Sequence, residues 1–151
     1  MNSKTITVQI VVKSPMAKVW ECWNKPEHIT GWAFASDDWT APKAENDSRV
    51  GGRFKTVMAA KDGSASFDFS GTYTAVKENE LIEYDMDPPS SAVADYGGQA
   101  ARHVKVLFQE TPEGVKITET LDPENENSEE VQRSGWQAIL ENFKKYTQGP
   151  H

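Results

Sequence analysis

Phe54-Lys55-Thr56-Val57-Met58-Ala59-Ala60-Lys61-Asp62-Gly63-Ser64-Ala65-Ser66-Phe67-Asp68-Phe69-Ser70-Gly71 is the stretch whose reading decides the fold. Its Asp-Gly pair favours a two-residue type I′ turn between two antiparallel strands. With Asp62 and Gly63 as the loop, Met58 faces Phe67, Thr56 faces Phe69 and Phe54 faces Gly71. All of these side chains then share one face, because side-chain direction alternates along a strand.

Working outward, a second turn at Lys77-Glu78-Asn79-Glu80 pairs Ala75 with Ile82 and Tyr73 with Tyr84, and Met86 continues the same row. The opposite face reads Ser66, Asp68, Ser70, Thr72, Thr74, all polar, so neighbouring strands agree on inside and outside. Asp87 to Gly98, with Pro88-Pro89 and Gly97-Gly98, is the richest in chain breakers and reads as a loop. Two further strands follow. Val104, Val106 and Phe108 alternate on one side, and beyond Pro112-Glu113-Gly114 so do Val115, Ile117, Glu119 and Leu121. Phe108 then faces Ile117 and Val106 faces Glu119, which sets a carboxyl in an apolar row.

The two ends of the chain complete the pattern. Ile6, Val8, Ile10 and Val12 mark a first strand with one buried face. Ser14 is placed to cap a helix with Pro15 in its first position, followed by Met16, Val19, Trp20 and Trp23 on one stripe. Pro26 opens a second short helix through Ile29 that ends near Gly31. Residues 33–50 read as irregular, apart from a short strand near Trp39. After Asp122-Pro123, Asn127 and Glu130 have the capping-box offset, and a long helix runs to about Tyr146. Its apolar stripe comprises Val131, Trp136, Ile139, Leu140 and Phe143, with Gly135 beside it.

The 151 residues suit one domain over 1–151, with a formal charge of −7 that disfavours phosphate backbones and so nucleic acid. No apolar run approaches the ~20 residues of a membrane helix, and Met1 leads into a strand pattern instead of a signal peptide. The expected address is cytoplasmic, without membrane insertion. Cys22 is alone, and His28, His103 and His151 are far apart, so neither a metal motif nor a cofactor fingerprint is expected. No nucleophile elbow or phosphate loop occurs, and no catalytic residue is assigned. His103 falls on the face away from the apolar row.

The order strand, two short helices, antiparallel strands and a final long helix resembles the START-like, or pollen-allergen-like, superfamily. Within it the chain is similar to the branch named for activators of the heat-shock protein 90 ATPase. The resemblance rests on Val19-Trp20-Glu21-Cys22-Trp23, Gly51-Gly52-Arg53-Phe54, Phe67-Asp68-Phe69-Ser70-Gly71-Thr72-Tyr73, Thr118-Glu119-Thr120-Leu121-Asp122-Pro123-Glu124 and Gly135-Trp136-Gln137-Ala138-Ile139-Leu140. It implies an α+β helix-grip fold, a curved antiparallel sheet of six or seven strands around the C-terminal helix. It also implies a single-domain bacterial-type member, since the co-chaperone behind the family name carries a separate N-terminal module for which this sequence leaves no room.

Such a fold implies a cavity between sheet and helix. Its expected lining is Phe54, Thr56, Met58, Phe67, Phe69, Tyr73, Tyr84, Met86, Val106, Glu119, Trp136 and Leu140, with the loop at 87–99 and the short helices at its entrance. Left empty, a minimal pocket of ~300 Å³ would cost roughly 7 kcal/mol, comparable with a domain's total stability of ~5–15 kcal/mol. Aromatic side chains, or water and a ligand, must therefore fill it. Glu119 is the residue of interest, with Tyr73, Tyr84 and Thr56 expected as neighbouring hydroxyls. It reads either as a polar anchor for an apolar ligand or as a carboxyl fixed by a tryptophan indole or a strand end. Gly135 either lets the helix approach the sheet or leaves space. A small apolar ligand is the leading expectation, beside a protein-interaction or co-chaperone-like module resting on the acidic surface. An enzyme using Glu119 in the cavity is the remaining alternative.

Overall fold

The computed structural model describes residues 5–34, 38–86, 102–122 and 129–149, with the side chains of Phe67, Arg102, Glu129 and Val131 outside that description. Strand β1 (Ile6–Val12) is followed by helices α1 (Met16–Asn24) and α2 (Pro26–Ile29). Strands β2 (Trp39–Asn46), β3 (Arg53–Ala60), β4 (Ser66–Lys77), β5 (Leu81–Met86), β6 (Arg102–Thr111) and β7 (Gly114–Leu121) come next, and helix α3 (Glu129–Thr147) ends the series. The strands form one antiparallel sheet in the order β1-β7-β6-β5-β4-β3-β2, giving the expected α+β helix-grip arrangement. Helix α3 packs chiefly against β1 and also meets α1.

Register is set by the alternating apolar rows. β3 and β4 pair Phe54 with Gly71, Thr56 with Phe69 and Met58 with Phe67, as the sequence implies. β6 and β7 pair Val106 with Glu119 and Phe108 with Ile117, again as expected. Buried Ile6, Val8, Ile10 and Val12 look to the same side as Val115, Ile117, Glu119 and Leu121 across the β1–β7 pair. Gly71 is required by close approach: an added Cβ would lie 2.4 Å from the Asp85 carbonyl oxygen and 2.9 Å from the Phe54 ring.

The structure corrects four local readings. The first hairpin is not a type I′ turn, because Gly63 has φ +78° whereas Asp62 stays outside the left-handed region. Instead Lys61–Ser64 forms a four-residue connection, with the Ala60 amide donating to the Ala65 carbonyl and the Asp62 carboxylate accepting from the Ser64 amide at 2.8 Å. Two- and four-residue loops with the same centre share one register, so the pairing was unaffected. Ala75 faces Glu83, not Ile82, and Val76 takes the place opposite Ile82. Glu78-Asn79-Glu80 is a three-residue turn with Asn79 at φ 65°, which offsets the pairing by one residue. A bulge at Thr74 returns it, so Tyr73 still faces Tyr84.

The short strand expected near Trp39 extends over eight residues, 39–46, where the rest of the segment was expected to be irregular. β2 is an edge strand, and its register shifts between Thr40 and Lys43, around Pro42, which has no amide hydrogen to contribute. An edge strand of this kind lacks apolar alternation. Ser14 does not cap α1: Pro15 is the N-cap residue, and its carbonyl accepts from the Lys18 and Val19 amides. The Ser14 hydroxyl donates instead to the Thr147 carbonyl at 3.4 Å. The expected loop at 87–99, its entrance role and the Asn127 cap lie outside the described residues.

Candidate functional site

The concave face carries two aromatic clusters with different exposure. In the first, Trp23 lies against Trp32, Phe108 and Phe143 with ring centroids 5.0, 5.6 and 5.0 Å away, and Trp32 meets Phe143 at 4.9 Å. Phe143 is wholly buried, and Trp32 donates its indole N–H to the Cys22 carbonyl at 2.9 Å. This cluster fixes the C-terminal half of α3. Polar ties add to it: Lys13 N–H to Gln148 at 2.8 Å, Lys18 Nζ to the Gly149 carbonyl at 3.0 Å, and Asn142 Nδ2 to the Phe34 carbonyl at 2.6 Å. Gly31 sits under the Tyr146 ring, where a Cβ would lie 2.4 Å from Cε1.

The second cluster lies toward the other end of the helix. Phe54 contacts Phe69, Tyr73 and Tyr84 at 5.4, 5.3 and 4.8 Å, and Phe69 meets Trp136 at 6.0 Å. Phe54, Thr56, Tyr73, Tyr84 and Met86 are buried. Met58, Phe69, Trp136 and Ile139, although apolar and packed against the core, are only partly covered. A Cβ added at Gly135, next to Trp136, would meet nothing within 4 Å among the described residues, so close approach to the sheet does not require this glycine. Gly135→Ala is accordingly expected to raise stability by up to about 1 kcal/mol through helix propensity, read by chemical denaturation. A loss of stability would show that the helix needs the close approach.

Glu119 stands between the clusters, one pleat period (about 7 Å) along β7 from Ile117. Its flanking partners are Val8 on β1 and Val106 on β6, both buried. It is 4 % exposed, and burial alone pushes its carboxyl up to about 8 from an ordinary 4.5. No hydrogen bond among the described residues contributes to that value, so the indole or strand-end partner considered from sequence does not hold it. A carboxyl in this state is neutral at pH 7 and offers one O–H donor and one carbonyl acceptor.

Of the expected site residues, Val106 and Leu140 are buried in the core, as are Phe54, Thr56, Tyr73, Tyr84, Met86 and Glu119. Met58, Phe69 and Trp136 line the less covered end, and the Phe67 side chain lies outside the description. Tyr73 is not an available hydroxyl, because its O–H donates to Asn46 Oδ1. Burial is the main cause that raises its pKa. Asn46 in turn donates to the Asn24 carbonyl at 2.5 Å and to Ser48 at 2.8 Å. Sequence reasoning missed this network because its members come from a helix end and the unpatterned edge strand. His103 is on the outer face, as expected, with ring nitrogens 2.8 Å from Asp85 and 2.7 Å from Glu83. The Asp85 hydrogen bond is the main cause that raises its pKa, so its stabilising contribution is present at low pH and fades as pH rises through the raised value.

Among the described residues no helix is long and apolar enough to cross a membrane, and no group of three or more His, Cys, Asp or Glu could hold a metal ion. A family model described as Activator of Hsp90 ATPase homolog 1-like protein matches residues 13–148. A solution structure of an AHSA1-like protein from Aeromonas hydrophila is 39% identical, covering 95% of this chain and 91% of that one, with a TM-score of 0.81. A solution structure from Cytophaga hutchinsonii is 46% identical over 95% and 92%, with a TM-score of 0.75. A crystal structure from Chromobacterium violaceum, 20% identical with a TM-score of 0.82 over 97% and 98%, shares the fold. No curated protein matches the chain.

Proposed function

We propose, from the premise that this chain belongs to the family of Activator of Hsp90 ATPase homolog 1-like proteins, that it binds a small, mostly apolar molecule. The binding space we assign lies between the concave sheet face and the N-terminal half of α3. One observation carries the reading. Glu119 is buried in an apolar row with no polar partner among the described residues, a state that costs several kcal/mol unless something in the space answers it. Two features support it: no described atom lies within 4 Å of a Cβ added at Gly135, and Met58, Phe69, Trp136 and Ile139 are incompletely covered.

The chamber lining in this reading is Phe54, Thr56, Met58, Phe67, Phe69, Tyr73, Tyr84, Met86, Val106, Glu119, Trp136 and Leu140. Tyr73 contributes its ring, since its hydroxyl is already engaged. Aromatic rings and methionines supply adaptable apolar area, and one carboxyl orients the occupant. A single domain over 1–151 and a cytoplasmic location belong to the same reading and rest on the sequence. Native mass spectrometry after gentle purification is expected to show a bound small molecule that denaturation releases. Repeated absence of any adduct, with Gly135→Leu leaving uptake of an environment-sensitive dye unchanged, would defeat the proposal.

A further inference from the structure

Glu119 is the only carboxylate among the buried described residues, and no lysine, arginine or histidine is buried with it. Its described neighbours on the two flanking strands are apolar, while the same concave face carries the buried phenols of Tyr73 and Tyr84 and α3 brings the uncharged amide of Gln132. β1 presents Ile6, Val8 and Ile10, and β6 presents Val104, Val106 and Phe108. The buried residues of α3 include Leu140 and Phe143 together with Gln132, which carries no charge. None of these residues of β1, β6 and α3 titrates. Among the described side chains an anionic head group would therefore meet no buried compensating cation, and it would sit beside a carboxyl. A cationic one would require burial of two charges, and their attraction commonly no more than offsets the desolvation cost. A neutral acceptor requires neither: it takes the carboxyl proton in a hydrogen bond and leaves both partners uncharged.

We infer that the molecule held here is neutral and presents a ketone, ester or alcohol oxygen to the Glu119 carboxyl, which donates to it; this rests on the binding role proposed above. The specificity is thus for head-group charge, while the apolar walls tolerate variation in the body. Binding weakens as pH rises through about 8, because ionisation removes the donor and leaves an anion facing the acceptor oxygen.

Decan-2-one, decanoate and decylamine, matched in chain length, test this on the delipidated full chain by calorimetry or tryptophan fluorescence near pH 6.5 and pH 9.5. Decan-2-one is expected to bind at least about tenfold tighter than the two charged probes, and to lose about tenfold or more at the higher pH. Glu119→Gln, neutral at both pH values, keeps the binding and loses the pH dependence. Glu119→Leu, which has no donor, loses the head-group preference. Equal or tighter binding of decanoate or decylamine overturns the inference, as does a pH-independent ketone affinity in the natural chain. Equal binding of all three by every variant defeats the inference while the apolar-ligand reading stands. Failure of all three to bind any variant defeats both.

Discussion

Glu119→Gln is expected to stabilise the protein at neutral and alkaline pH, by a margin that widens as pH rises. In the folded chain the carboxyl is pushed up to about 8 by burial, whereas in the unfolded chain it ionises at its ordinary 4.5. Between those two values the folded state holds a proton that the unfolded state has released. The stability of the natural chain therefore falls with pH across that window and is independent of this group below it. At about 1.36 kcal/mol per pH unit the loss reaches roughly 3 kcal/mol at pH 7 and roughly 5 kcal/mol above pH 8. Glutamine has nearly the same shape and never ionises, and its buried amide replaces an equally polar protonated carboxyl. Urea unfolding near pH 4, 7 and 9 is the measurement. The two proteins should coincide at the acid end and separate above it, and equal stability at pH 9 would refute the assignment. Comparing variant with natural chain also cancels the His103 contribution, which is common to both.

Phe143→Ala is expected to destabilise the fold by about 3–5 kcal/mol, the range for truncating a fully buried aromatic. Phe143 is wholly buried on α3 and lies against both Trp23 and Trp32, so it joins the helix to α1 and to the segment after α2. Its loss opens a cavity among rings already packed edge to face, with little freedom to collapse. The comparison residue is Trp136, larger but only partly buried, with Phe69 at 6.0 Å as its one ring neighbour among the described residues. Trp136→Ala is expected to cost less than half as much. Guanidinium denaturation near pH 5 compares them. A larger loss at Trp136 would mean that the N-terminal half of α3 is packed as tightly as its C-terminal half, and the proposed chamber would have no room.

The difference between the ring-packed Trp23 and Trp32 and the partly covered Trp136 was not legible from the chain alone. Trp20, Trp23, Trp32 and Trp136 all fall on apolar stripes or beside them, and periodicity gives each the same weight. Strand phase was legible. A period of two leaves only two choices for each strand, and Phe54, Tyr73, Tyr84, Val106 and Ile117 make the wrong one costly on all five strands from β3 to β7 at once. Turn geometry was less so: Lys61–Ser64 is longer by one residue at each end than the expected pair, and Glu78–Glu80 is shorter by one than the expected four. The bulge at Thr74 then restores a register that a different turn would also have given. β2 was read as mostly irregular because an edge strand with Pro42 at its shift in register has no apolar row to display.

The sequence by itself determined the sheet, the order of its elements, the inward face of each apolar strand and the presence of a carboxyl on that face. Hydrophobic alternation is a local property, and local properties can be read in order along a chain. Tertiary structure alone decided that Tyr73 spends its hydroxyl on Asn46 and that, among the described residues, nothing crowds a Cβ at Gly135 and Glu119 has no polar partner. Each of these depends on atoms brought together from segments far apart in the chain, and pairing or solitude of a polar group is fixed only when those segments meet.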